Sequence, residues 1–394
     1  MKIGILTQPL HTNYGGLLQN YALQQVLKGM GHEVETIDHG FNKKKSITLK
    51  RYILQILSKI KTILLHIFFP TRLQKVRYLP NDEELSEIRK KTDHFINKYI
   101  SHTPPLLTTK DFDELSNGLN YNAYVVGSDQ CWRPIYNGNI LPEMFLRFAE
   151  KQRGVKRIAY AASFGTSVWE YTPEETDICS QLAEKFDLIT VREKSGVALC
   201  DNYLGVKAMQ VLDPTMLLSK EAYEDLVLKE NEPKSNGDLF YYILDPSEEK
   251  KKLIERIASD NGYNPFTTLP KCQEENRTKE DVKERIDDCV YPSVTSWLRS
   301  FMDAKMVIVD SFHGAVFSII FNKPFWIIGN SERGNARFDS LLELFGLKER
   351  MISIDGIKLE AGFDWCREID WGRVNEIREN EKQRCITLLE NYFK

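Results

Sequence analysis

The sequence predicts an α/β protein of two domains, each built from a parallel β-sheet covered by helices. Two observations predict this class: 394 residues suffice for two ordinary α/β cores, and short apolar runs alternate with helix-like segments along most of the chain. With 42% hydrophobic and 28% charged residues, the composition is that of a soluble globular protein. The net charge of -3 does not favour nucleic-acid binding, so local charge must hold any anionic ligand.

The first half of the chain begins with a strand, a helix and a second strand. These are predicted over residues 2–7, near 16–30 and over 33–37. Further strands are predicted over 123–126, 157–161, 188–192 and 208–212, with room for helices between them. Together they form a Rossmann-like N-terminal domain over residues 1–232.

A turn-rich segment near residues 231–237 separates this domain from a second one. Strands are predicted there over 240–244, 264–269, 306–309, 324–328 and 351–354, with helices such as 248–261 and 337–345 between them. They form a Rossmann-like C-terminal domain over residues 233–370. A long amphipathic helix over 371–394 is expected to pack back toward the N-terminal half. Two such domains facing each other across a cleft form a glycosyltransferase-B-like architecture.

A basic amphipathic helical insertion is predicted at about residues 43–100. Its first part, 43–77, carries ten Lys and Arg residues and no Asp or Glu, and apolar side chains recur at helical spacing over 47–69. One interpretation is peripheral contact with an anionic membrane; the other is an insertion that packs its apolar face on the domain core. Lys59 and Lys61 interrupt the apolar run, which excludes a membrane span.

The cysteine pattern and the first residues predict a cytoplasmic protein. Seven cysteines are scattered without a CxxC pair, as expected for free thiols, and the apolar run at residues 3–6 is too short for a signal peptide. The segment 47–69 would place the protein at the inner face of the cytoplasmic membrane. No metal is expected, because the seven histidines show no metal-like pairing with acids or cysteines.

The most informative motif is the turn that follows the predicted strand 306–309. Ser311, Phe312, His313 and Gly314 lie between this strand and a predicted helix. Amide groups at a helix N-terminus bind anions, and ligands of open α/β sheets collect at the carboxyl ends of strands. We therefore interpret His313 as a residue of a ligand site; the alternative is that it only caps or packs its own turn.

A glycine pair follows the first strand. Asn13, Tyr14, Gly15 and Gly16 precede the first helix, and paired glycines let the backbone approach a ligand closely. Asn13 offers both a donor and an acceptor at the mouth of the crevice. The spacing differs from the GxGxxG of dinucleotide-binding proteins, and a purely structural turn is the alternative.

Polar residues also follow the predicted strand 123–126. Ser128, Asp129 and Gln130 come directly after its glycine, and Asp129 could accept a proton or a hydrogen bond from a sugar hydroxyl. Helix capping is the alternative for Ser128 and Asp129. The indole of Trp132 suits the apolar face of a sugar ring, although the same residue could belong to the core.

Three arginines complete the candidate site. Arg192 ends a predicted strand and can hold a carboxylate or phosphate through two parallel hydrogen bonds, or it can pair with Glu193 or another carboxylate of the protein. Arg333 and Arg337 lie in a loop after a strand of the second half and would face the same cleft. Either one alone would be an ordinary surface arginine.

The order of these motifs resembles that of the polysaccharide pyruvyl transferase family. The resemblance spans residues 1 to about 346 and includes the two glycines, Gly127 to Trp132, Arg192 to Ser195, Asp213-Pro214-Thr215 and Ser311 to Gly314. It implies a glycosyltransferase-B-like fold and a bacterial enzyme of capsule, exopolysaccharide or cell-wall synthesis. Such enzymes build a pyruvate ketal on a hexose, with phosphoenolpyruvate as donor substrate and no further cofactor.

The resemblance implies roles for particular residues. Arg192 matches the arginine that contacts phosphoenolpyruvate, and His313 matches the histidine of the second-half motif. Ser311 and Phe312 stand where the family often has an arginine and an aliphatic residue, so Arg333 or Arg337 is expected to supply the missing cation. The expected phosphoenolpyruvate site is Arg192, Ser311, Phe312, His313, Gly314, Arg333 and Arg337. The expected acceptor site is Asn13, Tyr14, Gly15, Gly16, Ser128, Gln130 and Trp132.

The implied chemistry assigns His313 and Asp129 as catalytic residues. Protonated His313 would give a proton to C3 of phosphoenolpyruvate, while Asp129 would take the proton of a sugar hydroxyl. Which hexose is modified, and whether it is lipid-linked, stays open. The alternatives are a glycosyltransferase of the same fold that uses a nucleotide sugar and a non-catalytic glycan-binding protein.

Overall fold

The computed structural model describes residues 1–40, 78–106, 108–118, 121–273, 277–329, 335–353 and 363–394. The predicted membrane-contact segment 47–69 and Arg333 lie outside the described residues. The structure is α/β with two parallel sheets, which confirms the predicted class of two Rossmann-like sheets.

The first sheet has six strands in the order β2-β1-β3-β4-β5-β6, and all neighbouring pairs are parallel. The strands are β1 (Lys2–Leu6), β2 (Glu33–Thr36), β3 (Ala123–Val126), β4 (Lys156–Ala162), β5 (Leu188–Val191) and β6 (Met209–Gln210). Both β3 and β5 are fully buried, which explains why they read as continuous apolar runs rather than as alternating patterns.

The second sheet has five parallel strands in the order β11-β10-β9-β7-β8. The strands are β7 (Leu239–Tyr242), β8 (Pro265–Phe266), β9 (Met306–Val309), β10 (Phe325–Ile328) and β11 (Met351–Ile352). Two predicted strands are too long: 208–212 pairs only over β6, and 264–269 only over β8. Both strands lie at the edge of a sheet and have a single neighbouring strand. An edge strand ends where its pairing with that one neighbour ends.

Helices connect the strands and cover the sheets. They are α1 (Tyr14–Gly29), α2 (Asp82–Tyr99), α3 (Thr109–Gly118), α4 (Pro134–Asn137), α5 (Pro173–Ala183), α6 (Lys194–Leu199), α7 (Lys220–Lys229), α8 (Glu248–Asn261), α9 (Lys279–Glu284), α10 (Ile286–Cys289), α11 (Val294–Asp303), α12 (Phe312–Ile320), α13 (Ala336–Phe345) and α14 (Trp371–Phe393). Within the described ranges, no helix is both long and apolar enough to span a bilayer.

Side-chain caps fix the beginnings of the two helices next to the candidate site. The Asn13 Oδ1 accepts a hydrogen bond of 3.1 Å from the Gly16 amide at the start of α1. At the start of α12, the Ser311 Oγ accepts one of 3.1 Å from the Gly314 amide. Each cap satisfies one of the amides that a helix start leaves without a partner, so both helices begin immediately after their strand-end turns.

One hydrophobic core extends across both sheets. It contains residues of β1 and α1 from the first half and of β9 and α12 from the second half. Helix α14 contacts the first half, because Arg384 donates a hydrogen bond of 2.9 Å to the carbonyl of Gln210 and the Phe393 ring lies 5.2 Å from that of His32. The shared core holds the two sheets in one orientation with their carboxyl ends close together.

Candidate functional site

The carboxyl ends of β5 and β9 meet at the candidate site. Arg192 directly follows β5 in the first sheet, whereas Phe312 follows β9 in the second sheet. The guanidinium carbon of Arg192 lies 4.4 Å from the centroid of the Phe312 ring, a cation–π contact. The structure therefore brings Arg192 and the His313 turn together, as the strand-end argument predicted.

Asp213 is the centre of the charged network. Its Oδ2 accepts hydrogen bonds from Arg192 at 2.9 Å and from the Ser128 hydroxyl at 3.0 Å, and its Oδ1 accepts from the Thr215 hydroxyl at 2.6 Å. The His313 Nε2 lies 3.5 Å from Oδ2, within ion-pair distance. Burial by itself would raise the pKa of Asp213, but its cationic and hydrogen-bonding neighbours lower that pKa far below the ordinary carboxyl range.

Asp129 is the second carboxylate of the network. Its Oδ1 accepts a hydrogen bond of 3.2 Å from Arg192 and one of 2.9 Å from the Gln130 amide. Burial opposes ionisation, but the positive charges of Arg192, His313 and Arg337 outweigh it and lower the pKa of Asp129. Asp129 caps no helix, since α4 begins at Pro134 with a different residue at its N-cap. Asp129 is therefore an ionised member of the site rather than a cap.

His313 lies in the first turn of α12 and is 8% exposed. Ser311 caps this helix, so His313 is not needed for that purpose. Its ring rests on Gly15 of α1: a Cβ added to Gly15 would lie 2.1 Å from the imidazole Nδ1. Gly314 is similarly restricted, because a Cβ there would lie 2.7 Å from the Ser311 Oγ. Gly15 thus allows the first half to approach the imidazole, whereas Gly314 makes room for the cap and the strand end of its own half.

A narrow pocket lies beside Arg192 and the Phe312 ring. This cavity is open to solvent on one side and is lined by Arg192, Gln210, Val211, Leu212, Asp213, Met216, Phe312, Arg337, Leu341 and Leu344. The Arg337 guanidinium carbon lies 5.8 Å from the Phe312 ring centroid, and among the residues that the structure describes its Nε has no hydrogen-bond partner. Burial, followed by the charge of Arg192, lowers the pKa of Arg337 to about 10. Arg337 is therefore a cation at neutral pH.

Three of the predicted acceptor residues have other roles. Trp132 is fully buried, stacked at 4.6 Å on Phe145, and its indole nitrogen donates to the Met144 carbonyl, so the prediction that it carries a sugar is wrong. Tyr14 is also buried, and its hydroxyl donates to the Pro292 carbonyl of the second half at 2.9 Å. Ser128 is buried with its hydroxyl directed at the central carboxylate instead of at an opening.

Two other predicted positions lie at the start of α1: Asn13 is exposed and caps the amide of Gly16. Gln130 is partly buried, and its side-chain oxygen lies 3.3 Å from an Arg133 nitrogen. Glu193 does not pair with Arg192; its Oε1 accepts from the amides of Phe164 and Gly165.

Sequence reasoning did not assign a role to Asp213. The available signal was its place in Asp213-Pro214-Thr215, directly after a predicted strand and before a proline that starts a short helix. In the described part of the chain, no group of three or more His, Cys, Asp or Glu side chains is arranged to hold a metal ion.

Fold and site define an α/β protein in which two parallel sheets bring two guanidiniums, two carboxylates and an imidazole together in one charged cluster. Residues 13–332 match the family model described as polysaccharide pyruvyl transferase, and the chain belongs to this family. No curated protein matches the chain in sequence.

Solved structures with a similar arrangement cover most of the chain at low identity. MurG of Acinetobacter baumannii is 10% identical with a TM-score of 0.44, and the match covers 99% of both chains. The UDP-GlcNAc 2-epimerase of Methanocaldococcus jannaschii, in complex with UDP-GlcNAc and UDP, is 11% identical with a TM-score of 0.47 and the same coverage. MnaA of S. aureus with UDP is 10% identical, with a TM-score of 0.47, over 89% of this chain and 83% of that one.

Proposed function

We propose that the protein is a pyruvyltransferase that forms a pyruvate ketal on a hexose of a bacterial surface polysaccharide or its lipid-linked precursor. Phosphoenolpyruvate is the donor, and phosphate is released. Family membership supports the reaction class. The observation that carries the proposal is a convergence of groups from both halves of the chain. Arg192 and Arg337 line one cavity, and His313 faces the Asp213 carboxylate that also accepts from Arg192.

The charge balance of the cavity suits an anionic donor. Two arginines face two ionised carboxylates, so the formal charge of these four groups is zero, and protonation of His313 makes the site cationic. Within the described residues, the Nε of Arg337 has no hydrogen-bond partner, so its N–H can donate to the carboxylate or phosphate of phosphoenolpyruvate. Arg192 uses two of its five N–H groups on Asp129 and Asp213, and its Nε is likewise without a hydrogen-bond partner in the described residues.

The proposed reaction begins with two proton transfers. His313 gives a proton to C3 of phosphoenolpyruvate, a sugar hydroxyl oxygen bonds to C2, and Asp129 takes the hydroxyl proton. The C2–O bond to phosphate then breaks, and a second hydroxyl of the same hexose bonds to C2 and closes the ketal. Of the two hydroxyl protons, one replaces the proton that His313 lost and the other leaves on phosphate. Asp129 is ionised beside Arg192, and the carboxylate is the form that can take the hydroxyl proton.

Replacement of His313 tests this function. Phosphate release from phosphoenolpyruvate is measured with methyl hexopyranosides that carry free 4- and 6-hydroxyl groups. His313→Ala should lower the rate at least about 10²-fold, the usual contribution of a general acid. The control is His94→Ala, because His94 lies on the exposed surface of α2 against Glu230 and outside the cavity. Near-wild-type turnover by His313→Ala would remove the proposed proton donor.

A thermal-shift comparison separates this function from the main alternative. Phosphoenolpyruvate should stabilise the wild-type protein, since a ligand that binds only the native state raises its stability. Stabilisation by UDP-GlcNAc without stabilisation by phosphoenolpyruvate would instead indicate a nucleotide-sugar-dependent glycosyltransferase. Binding of a methyl hexopyranoside without any phosphate release would indicate a non-catalytic glycan-binding protein.

A further inference from the structure

An exposed aromatic residue stands close to the candidate site, four residues after the buried Trp132. Tyr136 lies in the short helix α4 and is 51% exposed, and the adjacent Ile135 is 72% exposed. Exposed single apolar side chains are common on proteins, so exposure alone assigns no role. What distinguishes Tyr136 is its connection to the charged network.

A continuous chain of hydrogen bonds connects α4 to Asp129. The Gln130 amide donates to the Asp129 carboxylate, and the Gln130 side-chain oxygen accepts from Arg133 at 3.3 Å. Arg133 also makes two hydrogen bonds of 3.0 Å to the two carboxylate oxygens of Glu170, and its guanidinium carbon lies 5.6 Å from the Tyr136 ring centroid. A bidentate pair of this kind fixes the guanidinium plane and with it the ring that it faces.

The backbone of this segment is held equally firmly. The Asn137 side chain donates hydrogen bonds to the carbonyls of Cys131 at 2.8 Å and Arg133 at 2.9 Å, and it accepts one of 3.2 Å from Gln8. Gln8, in the loop after β1, also donates to the Gln130 carbonyl at 3.0 Å. The ring of Tyr136 is therefore presented on a rigid support, as a binding platform requires.

The same contacts connect Tyr136 to the proposed base. From Asp129, the chain of contacts passes through Gln130 and Arg133 to the Tyr136 ring. An exposed aromatic face that is joined in this way to the carboxylate proposed to receive the hydroxyl proton is placed to support the sugar that carries this hydroxyl.

We propose that Tyr136 is the platform on which the acceptor hexose stacks, with Glu170 accepting hydrogen bonds from its hydroxyls. The proposal rests on the proposed function and names the acceptor side of that same site. A pyranose ring has an apolar C–H face that packs on a phenol ring and a rim of hydroxyls that needs donors and acceptors. The Arg133 side chain is 9% exposed and holds Glu170 in place, and Glu170, whose side chain is 31% exposed, supplies an acceptor at this edge.

The test compares Tyr136→Ala with Tyr136→Phe. The probes are phosphoenolpyruvate and methyl hexopyranosides with free 4- and 6-hydroxyl groups, and the readouts are phosphate release and the thermal shift given by phosphoenolpyruvate. Tyr136→Ala should raise the KM for the hexoside about 10-fold and leave the KM for phosphoenolpyruvate within about twofold. Tyr136→Phe keeps the ring and should stay within about threefold of wild type for both substrates.

The matched control is Tyr203→Ala. Tyr203 is 46% exposed and stacks at 4.6 Å on Trp169, so it is a comparable surface aromatic of the first half that does not line the cavity. It should change neither KM. An unchanged hexoside KM in Tyr136→Ala, or an equal loss in Tyr136→Phe, overturns the platform. If phosphoenolpyruvate fails to stabilise the wild type, the proposed function itself is wrong; stabilisation together with an unaffected Tyr136→Ala rejects the platform alone.

Discussion

Replacement of Asp213 by asparagine probes the network most directly. In the native state this buried carboxylate accepts hydrogen bonds from Arg192, Ser128 and Thr215 and faces His313. Asparagine has nearly the same shape as aspartate but is neutral. When its amide nitrogen takes the place of Oδ2, its N–H groups point at Arg192 and at the Ser128 hydroxyl, which are themselves donors. The substitution therefore leaves the Arg192 guanidinium buried with one carboxylate instead of two.

The expected cost follows from that geometry. Breaking a buried ion pair by removing one partner destabilises a protein by about 3–5 kcal/mol, because the remaining charge loses its compensation. The same reasoning gives a pH dependence. The pKa of Asp213 is lowered in the native state, so its contribution is fully present above the ordinary carboxyl pKa of about 3.9 and is lost as the pH falls toward the native-state value.

Denaturant unfolding at pH 7, 5 and 3 measures both effects. Asp213→Asn should be about 3–5 kcal/mol less stable than wild type at pH 7 and pH 5, and the difference should shrink at pH 3. Asp201→Asn is the control, since Asp201 pairs with Lys207 on the surface, where such pairs contribute about 1 kcal/mol or less. A loss for Asp213→Asn as small as that of the control would refute the idea that the carboxylate compensates buried charge.

Two further substitutions test the surroundings of His313, one through turnover and one through stability. Gly15→Ala should lower turnover about 10²-fold, because its Cβ would displace the ring; Gly29→Ala, at the open end of the same helix, should not lower turnover. Lys250→Met removes the cation that lies 2.7 Å from Asp310, the residue before the histidine turn, and should cost about 3 kcal/mol in a denaturant titration. Lys251→Met, on the exposed face of the same helix, should cost less than about 0.5 kcal/mol, and equal losses for the two lysines would contradict the buried-pair argument.

Central elements of the fold could be predicted because their burial is visible in the sequence. The strands at 123–126 and 306–309 and the helix at 248–261 have the predicted bounds, since each is defined by its own apolar pattern and turn residues. The edge strands at 209–210 and 265–266 were predicted too long, because the end of an edge strand depends on the neighbour with which it pairs. Such long-range pairing leaves little trace in a local window.

For the candidate site, too, one part could be predicted from the sequence and another could not. That Arg192 and His313 would meet followed from the rule that ligand crevices lie at the carboxyl ends of parallel strands. Which groups would pair within the crevice did not follow, and Asp213 therefore received no role. The two aromatic residues show the same limit: the sequence contains Trp132 and Tyr136 in one short segment, but only the packing against Phe145 reveals which of them is buried.

Asp213 connects Arg192 and His313, because both side chains face the same carboxylate oxygen, at 2.9 Å and 3.5 Å. A substitution that moves either side chain therefore also disturbs the group that holds the other. The guanidinium of Arg337 differs in this respect: among the described residues its Nε has no hydrogen-bond partner. In the proposed function, a donor anion that binds at this Nε would leave the contacts of Arg192 with Asp129 and Asp213 in place.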